Sequence, residues 1–291
     1  MDDVSWLSPA QDRGDGTTLV IAFEGWSDAA EAATIALKHV RSQLRARRVA
    51  SIDPDNYFDF TVTRPQIKLS PSGVRRLTWP ENKFYLSNLP NSPKLLIGIG
   101  PEPQLRWKAF SRSVLKIADT YNVEKVITLG ALLSEVPHTR PIKVIGTASN
   151  EQLAEHLGLA RPTYEGPTGV LGVLQAAFEA RGASCVSLWA NVPHYVAQTP
   201  SPKAALALVK RVSTLVQLGI DTSELESETV EYDTQIDEAV SSDDEARAYV
   251  EQLENASSEY FSNDFDTLET ATAEEIALEA ERFLKRHSNG N

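Results

Sequence analysis

The sequence predicts an α/β protein: a three-layer α/β/α sandwich with a largely parallel sheet, followed by an α-helical extension. Three observations carry this. Short runs of Val, Ile and Leu alternate with longer segments of helical apolar spacing, the pattern of strand–helix units around a buried sheet. Several of these runs break off into Gly, Pro, Glu or His, residues suited to sharp turns and polar sites. Beyond residue 220 the aliphatic runs stop, and only a thin apolar stripe continues. At 291 residues, one large domain over 1–220 and an acidic helical extension over 221–291 fit better than two equal domains.

The elements follow in order. TTLVIAF (17–23), bounded by Gly16 and Gly25, reads as the first strand. A helix is expected over 26–45, with Asp28 and Glu31 in capping-box spacing and an apolar stripe of Ala30, Ala33, Leu37, Val40 and Leu44. Short strands are expected at 49–52, 58–62, 75–79 and 84–87, with PQIKLSPSG (65–73) an exposed loop or hairpin. KLLIGIG (94–100) and KVITLG (125–130) are buried strands on either side of a helix within 103–122. IKVIGTA (142–148) is a strand, 151–157 a short helix, 169–182 a longer one, and SCVSLWA (184–190) another strand. Pro202 suits the first position of a helix capped by Ser201, which runs to Leu218 before Gly219 closes the body. In the extension, Ile236, Val240, Val250 and Leu253 form one stripe. A second helix is expected from a capping box at Thr272 and Glu275, through Ile276, Ala280, Phe283 and Leu284, to Lys285, Arg286 and His287 in its last turn. Such narrow stripes suit packing on the body or on a neighbouring subunit.

Composition excludes several classes. A hydrophobic content of 42% rules out disorder throughout. The formal charge of −12 is carried by the extension, where 21 acids face 4 bases, while residues 1–220 hold 24 bases and 19 acids. That mild excess lacks the concentrated basic face of a nucleic-acid binder. The basic group Arg41, Arg45, Arg47 and Arg48 reads as the solvated end of a helix. A single cysteine, Cys185, permits no internal disulfide and falls inside a strand as inert core. The N-terminal MDDVSWLSPAQDRGDG does not read as a signal peptide, and no apolar run reaches the roughly 20 residues of a membrane helix. A cytoplasmic protein without membrane association is expected.

No phosphate loop GxxxxGK[ST], HExxH, GxSxG or CxxC occurs, and GIGPEP at Gly98 lacks the third glycine of a dinucleotide fingerprint. Neither cofactor nor metal is expected. What remains is three segments that should meet at the carboxyl ends of the strands, where α/β sheets bind ligands. VPHTRP offers His138 for proton transfer and Arg140 as an anion clamp, or else two turn residues in ordinary contacts. YEGPTGVLG places Glu165 beside Gly166, Gly169 and Gly172 ahead of a helix, either an anion site at a helix N-terminus or a tight turn. VPHYV adds His194. FEGWSDA places Glu24 and Trp26 toward a cleft, with Asp28 as a helix cap. The ligand-binding candidates are Glu24, Trp26, Arg140, Glu165, Gly166 and Gly169. No catalytic residue is assigned; His138, Arg140, Glu165 and His194 are candidates only for an acid/base site.

Five segments in this order, FEGWSDAAEAA, IGIGPEPQLRW, LGALLSEVPHTRP, YEGPTGVLG and NVPHYVAQTPSPKAA, resemble the proteasome assembly chaperone 2 family in its prokaryotic branch. The resemblance covers about residues 17–220, and the acidic extension is similar to that of actinobacterial members. The match rests on Gly25, Trp26, Asp28, Glu102, Trp107, Pro137, Arg140, Glu165, Gly166 and Pro193. It implies an α/β/α domain similar to the purine nucleoside phosphorylase fold. It further implies a homo-oligomer, a trimer, acting as a chaperone-like interaction protein with a proteasome-related partner. The alternative is a small-molecule hydrolase or nucleoside-phosphorylase-like enzyme with its site around residues 130–194.

Overall fold

The computed structural model describes residues 3–7, 16–87, 89 and 92–257. Its centre is an eight-stranded sheet. The strands are β1 (Val4–Trp6), β2 (Thr17–Glu24), β3 (Arg47–Ile52), β6 (Asn82–Leu86), β7 (Leu95–Pro101), β8 (Val123–Ser134), β9 (Val144–Ala148) and β10 (Ser184–Pro193). Their spatial order is β1-β3-β6-β7-β2-β8-β10-β9. The four inner strands β7, β2, β8 and β10 run parallel, while β1, β3 and β6 on one side and β9 on the other are antiparallel. Strands β4 (Gln66–Leu69) and β5 (Arg75–Thr78) form a separate hairpin.

The parallel strands are aliphatic throughout because both of their faces are covered. In β2, Leu19, Ile21 and Phe23 enter one core and Val20 and Ala22 the other. The first of these cores packs under α2 (Trp107–Thr120) and α4 (Val170–Glu179). The second packs under α1 (Ala32–Gln43), α3 (Glu151–Leu157) and α5 (Pro202–Val216). This is the three-layer sandwich that the alternating sequence pattern implies. The expected cap of α5 forms, with Ser201 Oγ accepting from Ala204 N at 3.2 Å and Pro202 in the first turn.

Two further helices, α6 (Ser223–Ser241) and α7 (Asp244–Ser257), continue from α5. α6 lies against α5, burying Leu225, Tyr232 and Ile236, and α7 buries Val250 and Leu253. The helix expected over 272–287 lies outside the described residues. Among the described residues no helix is long and apolar enough to cross a membrane.

Local readings differ at three places. The helix expected from residue 26 begins at Ala32, because Ala30 and Glu31 take left-handed backbone angles (φ 50° and 55°). The Asp28–Glu31 capping box therefore does not form. Instead Asp28 Oδ1 reaches over the turn and accepts from Ala33 N at 2.7 Å and Thr34 N at 3.2 Å. Residues 58–62 form a turn, not a strand: Asp59 Oδ1 accepts from Thr61 N at 2.8 Å, an Asx turn that competes with extended backbone. Tyr57 and Phe58 are buried anchors beside it. β1, only three residues long, gives no periodic signal in the sequence.

Candidate functional site

The inner strands open a cleft at their carboxyl ends. β2 and β8 pair only as far as Ile21 and Thr128, after which β8 runs on to Ser134 while β2 ends at Glu24. The segment after β2 fills part of this gap, with Ala131 N donating to Ser27 O at 2.9 Å. Gly25 makes the bend, at φ +116°, a backbone angle that side chains oppose.

Beside that bend lies a cavity of about 660 Å³. Its walls come from the β2–α1 segment, the end of β8, residues 161–164 and 166–169, one face of α4, and Trp189 of β10. Trp26, Tyr164 and Trp189 supply aromatic faces, and Leu133, Ile145 and Leu171 aliphatic ones. Ser27 is 2% exposed, and its Oγ has no hydrogen-bond partner among the described residues, an uncommon state for a buried hydroxyl.

The N-terminus of α4 borders the cavity. Its orphan amides make it an anion-attracting position, but the chain fills the position itself. Glu102, just after β7, accepts from Val170 N with Oε1 at 2.9 Å. Burial holds its carboxyl above the usual range, against the hydrogen bonds from Val170 and Trp26 that pull it down. Gly169 allows a close approach here: a Cβ would lie 3.0 Å from both Glu102 Oε1 and Trp26, so these side chains would have to shift. Of the two readings of YEGPTGVLG, an anion site or a tight turn, the structure adds that Glu102 of the chain itself caps the N-terminus of α4.

A second cluster joins the strand ends to the extension. His138 is 2% exposed. Its backbone N–H donates to the Tyr195 hydroxyl at 2.6 Å, and its Nδ1 lies 2.7 Å from the same oxygen. With the imidazole neutral, the hydroxyl donates to Nδ1. The ring proton then sits on Nε2, 2.9 Å from Asp237 Oδ1 in α6. Lys203 Nζ donates to His138 O at 2.6 Å and to both oxygens of Asp233. His194 Nδ1 lies 3.3 Å from Ser134 O, and its Nε2 is 3.4 Å from the Tyr249 hydroxyl in α7. Edge-on ring packing links His138, Tyr195, His194 and Tyr249.

The sequence candidates therefore separate. Trp26, Gly166 and Gly169 line the cavity. His138 and His194 meet through Tyr195 in the seam with the extension. Arg140 and Glu165 are exposed and belong to neither group, and Glu24 pairs with Lys38 at 3.2 Å. The quartet His138, Arg140, Glu165 and His194 does not converge, because the tail helices take up both imidazoles. Sequence reading missed Tyr195, Lys203, Asp237 and Tyr249 as their partners, Ser27 at the cavity, and Glu102 as the cap of α4. Glu102 alone carried a signal, in the GPEP turn directly after a buried strand. Cys185 is fully buried and its thiol is pushed up to about 12, chiefly by burial. Among the described residues no group of three or more His, Cys, Asp or Glu side chains could hold a metal ion.

The model of a family described as PAC2 matches residues 22–240, from within β2 almost to the end of α6. The chain belongs to the PAC2 family. It is 38% identical to a PAC2 family protein from Streptomyces avermitilis, with a TM-score of 0.73, covering 80% of this chain and 99% of that one. The same identity, coverage and TM-score hold for a proteasome-assembly chaperone homologue from Mycobacterium tuberculosis. A Corynebacterium glutamicum protein of unknown function is 25% identical, with a TM-score of 0.80, covering 88% of this chain and 97% of that one. No curated protein matches. The PAC2 match runs past residue 220, so α6 lies within the family region and not beyond it.

Proposed function

We propose that this protein is an oligomeric, chaperone-like interaction protein of the cytoplasm that acts as a homotrimer on a proteasome-related partner. One observation carries the reading: neither strand-end histidine lines the cavity, and both are turned to the chain's own extension, His138 to Asp237 and His194 to Tyr249. The Mycobacterium tuberculosis chaperone homologue, similar over 99% of its length, supports the choice of partner. Sedimentation of the full chain, alone and mixed with proteasome α-subunits of the same organism, tests it. An oligomer alone and a co-sedimenting species with the subunits are expected. Failure to co-sediment at tens of micromolar removes the partner reading.

The cavity favours a second reading, a bound small molecule with an aromatic ring and one polar group for Ser27. Saturable quenching of Trp26 and Trp189 fluorescence by naphthol, lost in Gly169→Leu, is the expected result. No quenching above that of free tryptophan removes this reading.

A further inference from the structure

Among the described residues, all eight residues of the β4–β5 hairpin are exposed. Its register pairs Ile67 with Leu77 and Leu69 with Arg75, and Gln66 with Thr78 and Lys68 with Arg76. Pleating therefore puts Ile67, Leu69, Leu77 and Arg75 on one face and the four polar or cationic residues on the other. Both faces are open, with Ile67, Leu69 and Leu77 61%, 69% and 51% exposed. A lone two-stranded ribbon is marginal in water, and a contiguous exposed apolar face marks a site of association. The charge is also one-sided: Arg64, Lys68, Arg75 and Arg76 are the only charged residues between 60 and 80.

The extension has the opposite character. Residues 221–257 contain thirteen acids and one base. On α6, Asp237 and Asp233 turn inward to His138 and Lys203, and Glu226 pairs with Lys210. Opposite its buried stripe, α6 presents Val230, 67% exposed, beside exposed Glu231, Thr234 and Glu238. An apolar side chain so placed in an acidic surface matches an apolar ribbon edged with cations.

We propose that in the homo-oligomer the apolar face of one copy's β4–β5 hairpin lies along the outward face of α6 in the next copy. Ile67 and Leu77 cover Val230, and Arg75 faces Glu231 and Glu238. The lengths agree, since four strand residues span about 13 Å and Val230 to Glu238 spans about 12 Å along a helix. Two cationic hairpins repel each other, as do two acidic helices, so the favourable contact is between unlike surfaces. Such a head-to-tail contact generates a ring when its rotation closes. The inference rests on the homo-oligomer reading above and assigns its interface.

The test uses the full chain and two charge reversals at exposed positions, R75E with R76E, and E231K with E238K. Light scattering after gel filtration gives the mass, and circular dichroism verifies the fold. An oligomeric parent is expected, with each reversed chain at least tenfold weaker in association and a single chain carrying all four reversals regaining the oligomer, because every contact of a closed ring is then restored. A parent that is monomeric up to high micromolar concentration overturns the oligomer reading itself. An oligomeric parent whose mass neither reversal changes, or a four-reversal chain that stays monomeric, overturns this interface alone. A chain carrying L77C and V230C supplies a second readout. Oxidation should link different molecules through these two positions, and failure to link them within a persisting oligomer also overturns the contact.

Discussion

At the scale of single residues, Asp28 shows how burial and capping oppose each other. Its carboxylate accepts from two amides and the Thr34 hydroxyl at the start of α1, yet it is only 7% exposed. Burial is the larger effect, and its pKa is raised from 3.8 to about 6. Folding thus favours the protonated form. The stability this gives is fully present below about pH 4 and is lost as pH rises through about 6. Asp28→Asn keeps an acceptor for the amides and does not titrate. Denaturant unfolding from pH 4 to 7 should show the native chain losing on the order of 2–3 kcal/mol relative to that variant; parallel curves would refute the account. Cys185 makes a plainer case. Its buried thiol should resist an aromatic disulfide reagent in the folded protein and react rapidly in denaturant, and fast labelling of the native chain would contradict its placement.

At the scale of elements, the seam between body and extension depends on Tyr195, whose hydroxyl bridges the backbone and ring of His138. Tyr195→Phe leaves a buried amide and Nδ1 without that partner and should cost about 1–3 kcal/mol. Because the seam holds α6 and α7, hydrogen exchange should rise over residues 223–257 more than in β2 or β8. A uniform rise would mean that the seam has no local role. These pairs also show the limit of what is legible in the sequence. The aliphatic runs of β2, β7, β8 and β10 and the cap of α5 follow from local composition, and they are where expected. His138 meets residues 57 and 99 positions away, and no local pattern encodes such a pairing. The histidines were therefore recognisable as special, while their engagement with the tail was not. The 58–62 turn misled in the opposite way, since buried Phe58 and the exposed β-branched Thr61 and Val62 around an Asx turn imitate a strand.

At the scale of the whole molecule, the charge asymmetry and the packing of the extension act together. Residues after 220 carry the net acidity, and they also cover α5 with Leu225, Tyr232 and Ile236. A chain ending at Leu218 should therefore be less stable and less soluble. Melting should fall by more than about 5 °C, since roughly 2 °C accompanies each kcal/mol in a protein of this size. An unchanged melting point would show that the body does not depend on its extension. The body by itself would also be cationic where the full chain is anionic, a change readable as inverted retention on ion exchange.

Glu102 has a consequence for how free anions meet the N-terminus of α4. A free phosphate or carboxylate approaching α4 must displace a carboxylate tethered by the fold. A tethered competitor of this kind acts at an effective concentration on the order of millimolar or above. Anions at micromolar levels therefore leave the helix end to Glu102. Glu102→Ala removes the competitor, and calorimetric titration with inorganic phosphate should then show heat of binding that the native chain does not give.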